Sequence, residues 1–292
     1  MKKDIIISGF ADEICTDFEE QLKTVTELGM SYICLRAADG RGIAEYTAEE
    51  ARERLLPKLQ KAGVKVSSIG SPIGKVDIGD EEGFQRQLAQ LDELCRMCGI
   101  LGCQYVRIFS FFMPKDEDPA DYRDEVFAKM EKFLEIAGRY GVTLIHENEK
   151  GIYGDVGSRC VELMEQFAAG GMRSAYDFAN FVQCGEDPAV CWNMLRPYIS
   201  YIHVKDALYS SHENVLCGTG DGRIREILDQ AINRDGYEGF LTLEPHLAIF
   251  STFASLEKDA GNDRLKNRFE TGAEAYAAQY HALCQILEEI GM

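Results

Sequence analysis

The strongest constraint on the fold is an alternation of short apolar runs with longer amphipathic stretches. The runs, which are typical of buried strands, lie at 5–9, 32–36, 64–69, 105–109, 142–147, 173–177, 200–204 and 240–244. The amphipathic stretches, which are typical of helices, lie near 16–29, 47–62, 82–101, 120–140, 156–169, 187–197, 222–234 and about 268–290. Eight strands that alternate with eight helices predict an α/β fold, a (β/α)₈ TIM barrel.

The chain has the length of one such barrel. Its 292 residues contain no Pro/Ser-rich linker, tandem repeat or low-complexity tract, so we expect a single domain over 1–292. A doubly wound sheet is the alternative architecture, and it usually carries a Gly-rich phosphate loop after the first strand. The residues in that place, Ser8 to Glu13, do not form such a loop.

Four of the later apolar runs end on a residue that can bind a divalent cation. These residues are Glu147, Asp177, His203 and Glu244. In a barrel the ends of the strands meet at one rim, so the four side chains are expected to converge there. Three carboxylates and an imidazole suit a hard or borderline ion such as Mn²⁺, Mg²⁺, Co²⁺ or Zn²⁺. Each residue alone could instead cap a helix or face solvent, but their occurrence on four successive strands favours a metal site.

Cationic side chains near the predicted rim are candidates for substrate binding. The candidates are Lys205, Arg223, His246, Lys75 and Arg107, and Arg36 is a further cation at the end of the second run. Lys205 follows His203 by two residues, so the alternation of a strand places both on one face. Such groups could bind hydroxyls, a carboxylate or a phosphate. The alternatives are surface charges, ion pairs at the rim and loop residues without a role.

Composition narrows the classes of partner. The net charge of −18 and the pI near 4.7 argue against nucleic acid and against an anionic membrane surface, because both are bound by clustered Lys and Arg. No stretch approaches the roughly 20 apolar residues that a membrane span requires. The first apolar run, 5–7, is too short for a signal sequence, so we expect a cytoplasmic protein that acts on a small molecule.

Four motifs carry a resemblance to a known family. They are His-Glu-Asn-Glu at 146–149, Tyr-Asp-Phe-Ala-Asn-Phe at 176–181, Ile-His-Val-Lys-Asp at 202–206 and Leu-Thr-Leu-Glu-Pro-His at 241–246. Together they resemble the sugar phosphate isomerase/epimerase proteins of the xylose isomerase-like TIM-barrel superfamily. A Gly-rich segment at 218–222 and a GYxG turn at 236–239 also fall where that family has them. The resemblance covers nearly the whole chain.

The resemblance implies one divalent metal ion, held by Glu147, Asp177, His203 and Glu244, and a small carbohydrate substrate. In the ketose epimerases of the family the two Glu ligands also act as the acid/base pair, which implies that role for Glu147 and Glu244. The expected function is isomerisation or epimerisation of a small sugar, sugar acid or sugar phosphate, by proton transfer through a metal-stabilised enediolate. The alternative is a dehydratase of an inosose-type keto-polyol that uses the same site.

Several points stay open at the level of sequence. Glu149 could be the ligand in place of Glu147, although the family motif favours Glu147. Asp206 could orient His203, hold Lys205 or cap the next segment. Many relatives have a His two residues beyond the strand-six Asp, where this chain has Ala179.

Two further expectations concern partners. The DNA-repair branch of the superfamily would need extra His ligands and basic loops. The five His and the acidic charge of this chain disfavour that branch. Family members often pair through their barrel helices, so the resemblance allows a homo-oligomer.

Overall fold

Eight parallel strands form one sheet that curls into a barrel. The computed structural model describes residues 4–248 and 269–292. The strands are β1 (Ile5–Gly9), β2 (Tyr32–Leu35), β3 (Lys65–Ile69), β4 (Tyr105–Ile108), β5 (Thr143–Glu147), β6 (Met172–Asp177), β7 (Ile199–Val204) and β8 (Gly239–Leu243). Neighbours in sequence are neighbours in the sheet from β2 to β8, and β8 pairs with β1. A parallel bridge between Phe10 and Cys34 joins β1 to β2, so the barrel is nearly closed and the predicted TIM-barrel fold is confirmed.

Helices follow the strands around the outside of the barrel. They are α1 (Phe18–Glu27), α2 (Leu56–Ala62), α3 (Glu81–Leu101), α4 (Arg123–Tyr140), α5 (Gly157–Phe167), α6 (Phe178–Gln183), α7 (Pro188–Leu195), α8 (Ile224–Leu228) and α9 (Gly272–Glu289). Helical turns at Ala48–Glu50 and Ala51–Leu55 lead into α2, and a π-helical turn at Asp229–Arg234 continues α8. The last helix was predicted over about 268–290; residue 268 lies outside the described residues.

Local signals explain where these helices begin and end. The Asp17 carboxylate accepts a hydrogen bond from the Glu20 amide at the start of α1, and Asp80 does the same for Gly83 at the start of α3. At the end of α2 and of α4 stand Gly63 and Gly141, both in the left-handed conformation that glycine adopts at low cost.

The structure differs from the sequence prediction in the loops on the carboxyl side of the strands. A short helix, α6, follows β6 at once, because the Asp177 side chain accepts a hydrogen bond from the Asn180 amide and so starts a helical turn. Two small antiparallel ribbons, Ala37–Ala38 with Arg41–Gly42 and Asp206–Ala207 with Asn214–Val215, were also not predicted. Their strands are two residues long, too short to give an alternating pattern.

Hydroxyl groups fill part of the barrel interior below the rim. The Tyr201 hydroxyl hydrogen-bonds to Ser67 at 2.8 Å and to Ser68 at 2.9 Å, and Ser67 bonds to Ser8 at 2.6 Å. The ring of Tyr201 makes an edge contact with the imidazole of His203, with 5.5 Å between ring centroids. This buried layer supports the side chains at the carboxyl ends of the strands.

Candidate metal and active site

The four predicted ligands converge at the carboxyl end of the barrel. Glu147 and Asp177 are the last residues of β5 and β6, His203 lies in β7, and Glu244 directly follows β8. One donor atom from each of the four residues lies within 4.8 Å of the others, and all four side chains are buried. The strand register explains part of this, because Asp177 of β6 lies opposite His203 of β7.

Several buried polar atoms of the cluster make no hydrogen bond. Nδ1 of His203 lies 2.9 Å from Oε1 of Glu147 and 3.4 Å from Oε2 of Glu244. Nε2 of His203 is buried without a hydrogen bond, and Oδ2 of Asp177, Oε2 of Glu147 and Oε2 of Glu244 make ion-pair contacts but no hydrogen bond. Buried polar atoms seldom lack a hydrogen bond, so the concentration of four such atoms in one place suits a ligand-binding site. A divalent cation fits a donor set of three carboxylates and one imidazole.

Two buried arginines hold the two glutamates. Arg107 from β4 approaches Oε2 of Glu147 at 3.0 Å and Oε1 of Glu244 at 3.9 Å. Arg36, just after β2, donates to Oε1 of Glu244 at 3.0 Å. Each carboxylate therefore has a fixed orientation before any ligand arrives, as a reactive group requires.

Two asparagines position Asp177. The Asn148 side chain accepts from the Asp177 amide at 2.9 Å and donates to the Asp177 carbonyl at 3.0 Å. The amide nitrogen of the Asn180 side chain donates to the Asn148 carbonyl at 2.8 Å and lies 3.4 Å from Oε1 of Glu147. These contacts tie the ends of β5 and β6 together, so the two carboxylates keep a constant separation.

Burial and neighbouring charges shift the pKa values within the cluster. Burial raises the pKa of Asp177 to about 7. For Glu147 burial acts upward as well, but the positive charges of His203 and Arg107 prevail and hold its pKa at about 2. Burial alone would lower the pKa of His203, yet the charge of Glu147 raises it to about 9. Without a metal ion His203 is therefore protonated on both ring nitrogens at neutral pH, and coordination of a cation by one of them must release a proton.

Four of the five predicted substrate residues lie at or beside this cluster. Lys205 Nζ is 3.3 Å from Oδ2 of Asp177 and 3.8 Å from Oε2 of Glu244, as the alternation along β7 predicted. His246 Nε2 lies 3.4 Å from Oε1 of Glu244, and Arg107 contacts both glutamates. Lys75 pairs with Glu149 at 2.8 Å.

Arg223 has different neighbours. Its side chain is 40% exposed and binds Asp187 and Glu226 on the outer surface of the barrel. The structure shows no contact, among the residues it describes, that joins Arg223 to the four candidate ligands. Its assignment to the substrate site remains a prediction that these contacts do not support.

The contacts of Glu149 and Glu147 show which of the two is the better candidate for the metal ligand. Its carboxylate binds Lys75 and the Lys150 amide, whereas the carboxylate of Glu147 faces His203. The geometry therefore favours Glu147 as the ligand from β5.

The sequence did not predict how Arg36 organises the rim. Besides Glu244, its guanidinium binds Asp12 at 2.9 Å and Glu13 at 3.1 Å, on the loop after β1. A lone Arg at the end of a strand is the only signal in the sequence, and it does not reveal three partners from distant segments. The result is a buried ion-pair network that connects β1, β2 and β8.

Asp206 has one of the roles that the sequence left open, that of a cap for the segment that follows it. Its carboxylate accepts hydrogen bonds from the amides of Gly218, Gly220 and Gly222 and from its own neighbour Ala207, at 2.9 to 3.0 Å. It contacts neither His203 nor Lys205 in these bonds, so it caps the Gly-rich loop. The three glycines at alternate positions were the available signal, because such amides commonly form a cradle for an anion.

No helix within the described ranges is both long enough and apolar enough to cross a membrane.

Comparisons with known proteins place this geometry in context. The family model described as xylose isomerase-like TIM barrel matches residues 22–265. Among curated proteins, none matches the chain in sequence. Many solved structures share the fold.

Three of these solved structures illustrate the range of similar proteins. The IOLI protein with a bound zinc atom is 14% identical with a TM-score of 0.76, over 98% of this chain and 100% of the other. The D-allulose 3-epimerase from Methylomonas sp. is 13% identical with a TM-score of 0.74, over 98% and 99%. The probable 3-DHS dehydratase AsbF from Bacillus anthracis is 14% identical with a TM-score of 0.67, over 97% and 99%.

Proposed function

Because this chain belongs to the xylose isomerase-like TIM-barrel family, we propose that it is a metal-dependent isomerase or epimerase of a small carbohydrate. The observation that carries the proposal is the convergence of Glu147, Asp177, His203 and Glu244, whose donor atoms lie within 4.8 Å of one another. Similar structures include a sugar epimerase and a protein with bound zinc, which supports both halves of the proposal.

In this proposal the four side chains hold one divalent cation. The cation would supply a Lewis acid that polarises the carbonyl of the substrate and acidifies the neighbouring C–H bond. Cation ligands of this kind must be deprotonated, so His203 and the protonated fraction of Asp177 would release protons when the cation binds. Asn148 and Asn180 hold Asp177 and Glu147 at the positions that binding requires.

Glu147 and Glu244 would transfer the proton. Both carboxylates are ionised at neutral pH, since neighbouring cations hold their pKa values below the usual range, so either can act as a base. Epimerisation needs removal of the proton on one face of the substrate and its return on the other, whereas isomerisation needs one carboxylate to carry it between adjacent carbons. For epimerisation Glu244 would have to take up a proton from solvent before the return step, while Lys205, with Nζ 3.8 Å from Oε2 of Glu244, stays charged and holds that carboxylate in place.

Proton exchange in D₂O tests the proposal without knowledge of the product. The protein loaded with Mn²⁺ is incubated with a panel of ketoses, keto-inositols, sugar phosphates and sugar acids, and the loss of the α-proton signal is followed by NMR. Glu147→Gln and Glu244→Gln should each slow the exchange by about 10²- to 10⁴-fold, the usual contribution of general acid–base catalysis. Glu131→Gln, an exposed position on α4, is the matched control and should exchange like the wild type. Exchange that is equal in all four proteins, or absent with every compound, would contradict the proposal.

Mass spectrometry of the same samples separates the dehydratase alternative. An isomer or epimer keeps the mass of the substrate, whereas dehydration loses the mass of one water. Both reactions begin with removal of the same kind of proton, so the D₂O exchange alone does not distinguish them.

A further inference from the structure

The cations around the candidate site are already engaged by carboxylates and carbonyls of the protein. Arg36 uses Nε and both terminal nitrogens on Asp12, Glu13 and Glu244. These contacts engage all three nitrogens of the guanidinium, a group that otherwise suits a substrate carboxylate or phosphate.

The other three cations are engaged in the same way. Arg107 binds Glu147 and directs Nε and a terminal nitrogen at the carbonyls of Ser71 and Gly70, at 3.4 and 3.3 Å. Lys205 lies between Asp177 and Glu244, and Lys75 pairs with Glu149 at 2.8 Å. Among residues 4–248 and 269–292, each of these four cations therefore has a carboxylate of the protein as its counterion.

The Gly-rich loop near the site is also filled. Amides at alternate glycines form a cradle that can bind a phosphate. Here the amides of Gly218, Gly220 and Gly222 all donate to the carboxylate of Asp206, which is fully buried. A Cβ added at Gly220 would lie 2.4 Å from Oδ1 of Asp206, so the loop is closely fitted to that carboxylate. The Asp206 carboxylate therefore occupies the position in this loop that a phosphate could otherwise take.

The charges of the connected network favour one divalent cation and no additional anion. Five carboxylates and three cationic side chains are joined by ion pairs: Asp12, Glu13, Glu147, Asp177 and Glu244 with Arg36, Arg107 and Lys205. With neutral histidines the network has an excess of two negative charges, which a single M²⁺ ion cancels. None of these eight side chains is more than 5% exposed, so solvent screens an added charge weakly.

We infer that the substrate of this site is an uncharged polyhydroxy ketone or aldehyde rather than a sugar phosphate or a sugar acid. The inference rests on the proposed function and specifies the substrate class of the same site. A neutral polyol makes hydrogen bonds to the carboxylates and completes the coordination of a cation without adding charge. To pair with any of the cations described here, a phosphate or carboxylate group would have to displace a buried carboxylate of the protein, which would leave that carboxylate charged and without a counterion.

Binding of paired polyols tests this inference independently of turnover. Calorimetry on the full chain loaded with Mn²⁺ compares xylitol, sorbitol and myo-inositol with xylitol 5-phosphate, sorbitol 6-phosphate and myo-inositol 1-phosphate. We expect at least one neutral polyol to bind, and to bind about tenfold or more tightly than its phosphate. Tighter binding of the phosphates, or no binding of any neutral polyol, would overturn the inference.

A variant that removes one carboxylate charge beside the site tests the physical reason. Glu149→Gln neutralises the carboxylate that contacts Lys75, so the affinity for sorbitol 6-phosphate should rise several-fold, about the effect of one negative charge fewer near the bound phosphate. Glu20→Gln, which frees Lys23 of an exposed pair on α1, is the matched control and should leave that affinity unchanged. An affinity of Glu149→Gln equal to that of the wild type would contradict the role assigned to paired cations.

The D₂O panel separates failure of this inference from failure of the proposed function. Exchange with phosphorylated or acidic compounds alone would leave the proposed function in place and overturn the substrate class. Exchange with neutral compounds supports both. No exchange with any compound counts against the proposed function, and the polyol affinities then still decide whether the site prefers uncharged ligands.

Discussion

At the scale of single residues, Arg36 is the side chain with the most consequences for the site. It is buried, and three carboxylates from two distant segments share its charge. A buried ion pair adds little net stability compared with an apolar pair, but loss of one partner leaves the others charged and without compensation. The arginine therefore both stabilises the rim and fixes Glu244 in place.

Replacement of Arg36 should be costly. We expect Arg36→Met to lower the free energy of unfolding by about 3–5 kcal/mol, the usual effect of breaking a buried pair. Arg41→Met is the control, because the Arg41–Glu50 pair is about one-third exposed and should contribute little to stability. Chemical denaturation measures both variants. Equal stabilities would show that the carboxylates around Arg36 need no counterion.

At the scale of elements, the loop after β3 packs closely against β4 and so supports Arg107. Gly74 has a φ of +88°, and a Cβ at this position would lie 2.0 Å from the carbonyl oxygen of Phe109. The Gly74 amide donates to the Gln87 side chain of α3 at 2.7 Å, which ties the loop to that helix. No larger residue fits here unless β4 moves.

The stabilities of two Gly→Ala variants show how much the close packing at Gly74 contributes. Gly74→Ala should destabilise the protein by more than about 2 kcal/mol, because it combines backbone strain with a clash against the backbone. Gly63→Ala carries similar strain, with φ of +69° and no atom within 4 Å of the added Cβ, so about 1 kcal/mol is expected. Thermal or chemical unfolding of the two variants gives the difference. A cost for Gly74→Ala no larger than that for Gly63→Ala would contradict the packing described.

The Asp206 carboxylate also holds a structural element, the Gly-rich loop, through hydrogen bonds to its amides. In Asp206→Ala the amides of Gly218, Gly220 and Gly222 lose a charged acceptor. A hydrogen bond to a charged group typically contributes about 1.5–3 kcal/mol to the free energy of unfolding. We expect faster hydrogen exchange at these three amides, with a smaller effect in Asp206→Asn, which keeps one acceptor oxygen. Unchanged exchange in Asp206→Ala would show that other groups hold the loop.

At the scale of the whole molecule, much of the architecture could be read from the sequence because it depends on periodic patterns. The eight apolar runs predicted the eight strands, and the strand-terminal residues Glu147, Asp177, His203 and Glu244 do come together. The contacts of Arg36 could not be predicted, because they join segments far apart in the chain and leave no periodic trace. For Asp206, capping of the next segment was one of the open roles, and the sequence did not decide among them. Helix α6 was missed because a single capping contact at Asp177 starts it, within a stretch too short for a helical period.

A bound metal should stabilise the whole fold if the four side chains hold it. At a free Mn²⁺ concentration of 100 times Kd, mass action predicts a gain of about 2.7 kcal/mol in the free energy of unfolding. Asp177→Asn keeps an oxygen to cap α6 but weakens the metal site, so its gain at the same Mn²⁺ concentration should be much smaller. Asp124→Asn, whose side chain is almost fully exposed, is the control and should gain as much as the wild type. Equal gains in all three proteins would place the metal elsewhere.

Anomalous diffraction from crystals soaked in Mn²⁺ tests the central claim most directly. We predict one strong peak between the ends of β5, β6, β7 and β8, about 2.0–2.3 Å from an oxygen of Glu147, Asp177 and Glu244 and from a nitrogen of His203. A peak bound by other residues, or no peak at this position with Mn²⁺ in excess, would contradict the account.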